Sequence, residues 1–263
     1  MSLKKLFLQE VKQELVKQQH TAPILRPEDI SKLPPLIQTY LEKAGFIDKP
    51  LAENFYITWE GTSLKLNPQK EWMPIACVQF NAAQSPMRNA LMTSKMFGFI
   101  PFSGKDKYQD GSGNMFIKLL AFTVSDARGP EMDISALVTF LSEAILLPAA
   151  LMSPYIRLQQ VDDKTVTATI TDRGKTATGK FYFNSDGLPE RFKTEDRFFS
   201  TDGAEYDRLP WVAYYLNYKK ISDYVLPGEL RASWLLPEGE YEYFTGKIKN
   251  ITYNVQNIAQ LNQ

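Results

Sequence analysis

The chain has 263 residues, with 30 basic and 30 acidic side chains. That balance, without a long basic block, removes the electrostatic ground for a nucleic-acid partner. At 44% hydrophobic residues the chain can bury a full core, which argues against disorder, and the single cysteine, Cys77, excludes an intramolecular disulfide.

Aromatic residues make up 13% of the chain, a share that suits strands, where flat and β-branched side chains pack on a pleated surface. No apolar run reaches the ~18 residues that a membrane-spanning helix needs. The start, Met1-Ser2-Leu3-Lys4-Lys5, lacks the apolar stretch of a signal peptide. As written the chain reads as cytoplasmic. If Met1-Ser2-Leu3 is a leader that replaced a natural signal or anchor, the expected place is the cell envelope, with peripheral membrane association through the removed segment.

The first element is a helix over residues 3–19, where Leu3, Leu6, Phe7, Val11, Leu15 and Val16 recur at three- and four-residue steps. Thr21-Ala22-Pro23 and Arg26-Pro27 break it. A second helical region comes next, with Leu33, Leu36, Ile37, Tyr40 and Leu41 as its stripe and Gly45 as its stop. Residues 1–48 therefore form a helical pair packed on, or leading into, a sheet.

From residue 49 the pattern turns to strands. Asn54–Glu60 and Ser63–Leu66 flank Gly61, and Trp72–Asn81 has Pro74 near its start, where a missing N–H is tolerated. Arg88–Phe97, Phe99–Tyr108 and Met115–Thr123 are next, with turns at Gly98 and Asp110-Gly111-Ser112-Gly113-Asn114. Residues 133–147 interrupt the series as a helix, with Ile134, Leu137, Val138, Leu141, Ile145 and Leu146 on one face and Pro148 as its end. Strands resume at Val161–Thr171 and Thr176–Asn184, joined by Asp172-Arg173-Gly174-Lys175. Arg191–Phe199, Trp211–Tyr218, Glu229–Leu235 and Glu240–Asn254 complete them. Roughly ten strands with short connections pair antiparallel, because a parallel pair needs a crossover of a dozen or more residues. The fold class is α+β, mainly antiparallel β, with one β domain over residues 49–263.

The common catalytic constellations are missing. His20 is the single histidine, and no G-x-S-x-G elbow accompanies it. One cysteine and one histidine are too few for an ordinary zinc site. Gly111-Ser112-Gly113 leads from strand to strand rather than into a helix, so it is no dinucleotide fingerprint. No metal or cofactor is expected, and Cys77, alternating within a strand, reads as core. Carboxylate chemistry is the remaining catalytic option. Asp106, Asp110, Glu131, Asp133 and Glu143 cluster in sequence near Arg88, Lys105, Lys118 and Arg128. A buried pair such as Arg88 with Glu131 would serve structure as readily as catalysis.

The runs Ser85-Pro86-Met87-Arg88 and 96–120, centred on Gly104-Lys105-Asp106-Lys107-Tyr108-Gln109-Asp110-Gly111-Ser112-Gly113, resemble the signature of an uncharacterised bacterial family of unknown function. Gly129-Pro130-Glu131-Met132-Asp133, Pro210-Trp211, residues 234–240 and Ile251-Thr252-Tyr253-Asn254 fit the same pattern. In layout the chain is similar to the lipoprotein-carrier superfamily of the LolA and LppX type. That resemblance implies a strongly curved sheet, a half-barrel, with helices over its concave face and an apolar ligand between them.

The reading adopted is a non-catalytic binding or carrier protein for a lipid or acyl chain. Expected pocket residues are Met96, Phe97, Phe99, Ile134, Leu137, Leu141 and Ile145, and Arg88, Asp106, Asp110 and Glu131 form a second, polar group. The alternatives are a hydrolase-type enzyme using the central carboxylates and an envelope-associated interaction module.

Overall fold

The computed structural model describes residues 1–18, 22–96, 99–120, 122–200 and 205–262. The first seven strands are β1 Asn54–Leu64, β2 Met73–Pro74, β3 Ala76–Ala82, β4 Met87–Met96, β5 Ile100–Gln109, β6 Ser112–Leu119 and β7 Phe122–Ala127. The next five are β8 Ile156–Gln160, β9 Thr165–Asp172, β10 Lys175–Phe183, β11 Pro189–Phe199 and β12 Asp207–Leu216. The last four are β13 Lys219–Ile221, β14 Tyr224–Leu226, β15 Glu229–Leu236 and β16 Gly239–Tyr253. Helices α1 Leu3–Lys17, α2 Pro35–Lys43, α3 Pro130–Glu143 and α4 Pro148–Leu151 accompany them.

Among the described residues one 14-stranded antiparallel sheet runs in the order β7-β6-β5-β4-β3-β1-β16-β15-β12-β11-β10-β9-β8, with β2 on β1 and a separate β13-β14 ribbon. This is more strands than the expected ten. Hairpins that look continuous in sequence are split: Pro74 separates β2 from β3, and β8 and β7 are further strands.

The two edges of the sheet are β7 and β8, and the chain passes from one to the other through α3. A helix of 14 residues is about 21 Å long, so the edges cannot lie far apart. The turns confirm the curl. Along the sheet β6 is nine strand spacings from β10, about 43 Å if it were flat. Yet the β5–β6 turn meets the β9–β10 turn: Arg173 Nη2 lies 3.1 Å from Asp110 Oδ1, and Tyr108 donates to Asp172 Oδ2 at 2.7 Å. The sheet is thus a half-barrel wrapped around α3. Both turns are two-residue turns of positive φ, Asp110-Gly111 (53° and 80°) and Arg173-Gly174 (46° and 77°), the type that matches strand twist.

Helix α3 starts with Pro130 at its first position and Glu131 and Asp133 in its first turn, both favourable at the positive end of the helix dipole. Gly113 of β6 touches it directly. Its N–H donates to Asp133 Oδ1 at 2.7 Å, and a Cβ there would stand 2.3 Å from the Met132 carbonyl oxygen. The helix ends at Glu143, earlier than the expected 147. After a short 3-10 turn, Leu147 leaves the helical region, as the residue before a proline tends to, and Pro148 opens α4 rather than ending α3. Carbonyls near the end of α3 are taken up by tyrosines: Tyr215 donates to Ser142 O at 2.6 Å and Tyr40 of α2 to Ile145 O at 2.9 Å.

The front helices pack on different sides of the sheet. Helix α2 joins the main core on the concave side, with Tyr40 and Leu41 fully buried. Helix α1 lies on the convex face, where Leu3, Phe7, Val11 and Leu15 meet Tyr56, Phe80, Met87 and Leu91. Glu10 of α1 accepts from Lys105 at 2.6 Å, Lys107 at 2.9 Å and Asn89 at 2.9 Å. Burial alone would raise the Glu10 carboxyl, but the two lysines outweigh it and hold its pKa below the ordinary carboxylate value. His20 lies outside the described residues.

Two consequences are measurable. Gly113→Ala forces β6 and α3 apart and lowers the free energy of unfolding by about 1–3 kcal/mol, read from urea denaturation. The depressed Glu10 pKa means that the unfolded chain binds the extra proton, so this contribution is full above pH ~4.5 and fades as pH falls through the lower folded value. Glu10→Gln lowers Tm at pH 7, and the gap to the unaltered chain narrows between about pH 5 and pH 3 in differential scanning calorimetry.

Candidate functional site

Between α3 and the concave face of the sheet lies a cavity of about 130 Å³. Its walls are mainly apolar, with Trp59, Met92, Met115, Trp211, Tyr215 and Phe244 contributing from the strands. Small residues facing each other across β12 and β15, Ala213 and Ala232, leave the room that larger side chains would fill. Helix α3 contributes Thr139, Ser142 and Glu143. The two hydroxyls bond back to helix carbonyls, Thr139 to Ser135 O at 3.0 Å and Ser142 to Thr139 O at 2.8 Å. They offer the cavity little free polarity as a result. The side chain of Arg231 lines the cavity and is 41% exposed, which marks where the space reaches the surface.

One part of the wall is a dense polar network built by strand alternation. Cys77, Gln79 and Asn81 project inward from β3, and pairing places Asn81 opposite Arg88 and Gln79 opposite Ala90, which in turn pairs with Asp106. Arg88 donates through Nε to both oxygens of Glu143 at 3.0 Å and through Nη1 to Asp106 at 2.6 Å. Gln79 and Asn81 add donors to Glu143 at 2.6 Å and 2.8 Å. All three charged side chains are nearly buried, at 9–14% exposure. Burial alone would lower the Arg88 pKa; Glu143 and Asp106 outweigh it and keep the guanidinium charged. The Cys77 thiol is pushed up to about 12, first by burial and then by Glu143 and Asp106 against the opposing pull of Arg88. At neutral pH it stays protonated and unreactive.

A second part of the wall centres on Arg197 of β11. The β11–β12 register steps by three residues on one strand against two on the other, from Thr194↔Trp211 to Arg197↔Leu209. This bulge puts Arg197 on the inward face, which regular alternation would have given to Asp196. The guanidinium lies 4.3 Å from the Trp211 ring centre and 5.4 Å from that of Trp234.

The expected site residues divide among several places. Arg88 and Asp106 meet in the cavity wall, with Glu143 where Glu131 was the expected partner. The twelve residue steps from Glu131 to Glu143 put them about 18 Å apart along α3, and Glu131 sits half-buried in its first turn. Asp110 pairs with Arg173 at the surface, and Asp133 serves Gly113 and Lys175. The four acids Asp106, Asp110, Glu131 and Asp133 thus do not share a cleft.

Leu137, Leu141 and Ile145 are fully buried, and Ile134 packs against the same core. They occupy faces of the helix region other than the one lining this cavity. Met96 ends β4 in register with Ile100, and Phe99 is 73% exposed in the turn between β4 and β5. Phe97 lies outside the described residues. The cavity residues not singled out from sequence are Gln79, Asn81, Arg197, Trp211 and their neighbours. The signal for the first two was the polar Gln79 and Asn81 alternating against Val78, Phe80 and Ala82.

A family model described as a family of unknown function (DUF6544) matches residues 23–246. The chain belongs to that family. The matched stretch includes every residue of the cavity wall and leaves out α1. No curated protein matches the chain.

Two solved structures have a similar layout. One is a LolA superfamily protein from Nitrosomonas europaea, 13% identical, with a TM-score of 0.46 over 82% of this chain and 93% of that one. The other is a domain described as outer membrane lipoprotein-sorting, from Vibrio parahaemolyticus, 13% identical, with a TM-score of 0.43 over 76% of this chain and 85% of that one.

The Arg88 network yields a stability prediction. Arg88→Met leaves Asp106 and Glu143 buried without their cation and destabilises by about 3–5 kcal/mol in urea denaturation. Glu143→Gln keeps the Arg88–Asp106 pair and shows a smaller loss.

Proposed function

We propose that this protein binds an apolar ligand in the cavity between α3 and the concave face of the sheet, without catalysis. The observation that carries the reading is the cavity itself. A close-packed core leaves few voids larger than a water molecule, whereas this one measures about 130 Å³ and is walled by tryptophan, tyrosine, phenylalanine and methionine side chains. Apolar cavities of about 150 Å³ stay dry and admit a benzene-sized molecule. The space therefore suits one ring or a short stretch of aliphatic chain. A longer chain would extend past Arg231 toward solvent.

Burial supports a binding role over a catalytic one. Around the cavity Glu143 and Asp106 are occupied by Arg88, Gln79 and Asn81, which leaves neither placed as an uncommitted acid or base.

Titration with 1-octanol, monitored by the fluorescence of Trp59 and Trp211 at the wall, tests the reading. Saturable quenching or enhancement is expected. Ala213→Leu fills the space and weakens octanol binding by about ten-fold or more, while Tm stays equal or rises because a void has been filled. A chain that gives no saturable response to octanol, and no extractable apolar molecule after purification without detergent, would sink the proposal.

A further inference from the structure

We infer that the ligand carries an oxyanion, and that Arg197 receives it. The inference rests on the apolar-cavity reading and adds the chemical class of the head group.

Three arginines line the cavity, and they differ in one respect. Arg88 is held by Asp106 and Glu143. Arg231 pairs with Glu229 at 2.6 Å and Glu242 at 3.6 Å. Arg197 has its Nε and Nη1 atoms buried without a hydrogen-bond partner among the described residues. Its two aromatic neighbours attract the cation through their ring faces but accept no N–H in the ring plane. Two buried guanidinium nitrogens left in this state are unfavourable unless an acceptor arrives, because charged donors lose the most when stripped of water.

The two acids that precede it on β11 are committed elsewhere. Asp196 accepts from the Thr178 N–H at 2.7 Å and is paired with Arg208, and Glu195 faces Lys193. The bulge that turns Arg197 inward is itself fastened, by Asp196 N–H to Thr194 Oγ1 at 2.9 Å and Thr194 Oγ1 to Thr178 O at 2.6 Å. The inward aim is thus built into the backbone. A second donor stands by: the Tyr243 hydroxyl, also on the wall, accepts from Trp211 Nε1 at 3.1 Å and retains its own proton to give.

An apolar wall with one cation lacking hydrogen-bond acceptors among the described residues, and one hydroxyl donor, fits an amphiphile whose single oxyanion head sits against Arg197 and Tyr243, with its chain or ring among Trp59, Met92 and Phe244. Guanidinium N–H groups suit carboxylate and phosphate alike.

The test compares octanoate, octyl phosphate and 1-octanol on the unaltered chain and on Arg197→Met, which keeps the apolar stem without the charge. Octanoate or octyl phosphate is expected to bind about ten-fold or more tighter than octanol. Arg197→Met should abolish that preference while octanol affinity changes by less than about two-fold. Whichever anion wins names the head. Because Arg197 Nε and Nη1 have no hydrogen-bond partner among the described residues, Arg197→Met should keep or raise Tm; a lowered Tm would show a structural role and overturn the assignment. Equal binding of octanol and both anions, or a preference that survives Arg197→Met, overturns the head-group inference and leaves the apolar cavity standing. Binding of none of the three overturns both.

Discussion

Helix α3 is the constraint on which the rest depends. From Ser135 to Glu143 every residue of it is buried, so it has no solvent face and must be surrounded. It also connects the two edge strands, β7 and β8. Both demands are met by the same deformation. The sheet curls until its far hairpins touch across the helix start, and the helix becomes the core of the half-barrel. Antiparallel sheets have a natural twist that favours this curl, and the close contact of Gly113 with α3 lets the helix sit near the strand backbone.

A helix inside a curved sheet cannot fill it evenly. Its apolar side, with Leu137 and Leu141, is fully buried. Its Thr139-Ser142-Glu143 side faces alanines at 213 and 232 and leaves a void. Glu143 also places a negative charge at the negative end of the helix dipole, an unfavourable position on its own. Arg88, Gln79 and Asn81 offset it. The polar network thus anchors the end of α3 to β3 and β4 and fixes the height of one cavity wall.

The strands β3 to β5 carry charge on both faces. Along Lys105-Asp106-Lys107-Tyr108 the side chains alternate: the lysines reach Glu10 on the convex side, while Asp106 and Tyr108 reach Arg88 and Asp172 on the other. Convex and concave clusters are each locally paired. Against that background Arg197 stands out, facing inward with Nε and Nη1 lacking a hydrogen-bond partner among the described residues.

The sequence by itself determined much of this. Hairpin turns at 110–111 and 173–174 were legible because an αL pair in a two-residue loop favours glycine. The strands of the second half were legible because one buried face imposes a period of two. The apolar stripe of α3 marked the helix that had to be covered, and motif resemblance pointed to the family. What only the tertiary structure decided was which groups meet. Arg88 joins Glu143 rather than Glu131 because α3 runs across the sheet and delivers its far end to β4. Arg197 faces inward because one extra residue in β11 reverses the alternation, and no local pattern announces a bulge. The cavity exists because distant small residues, 213 and 232, fall opposite each other under the helix, and volume left between elements is a property of their packing alone.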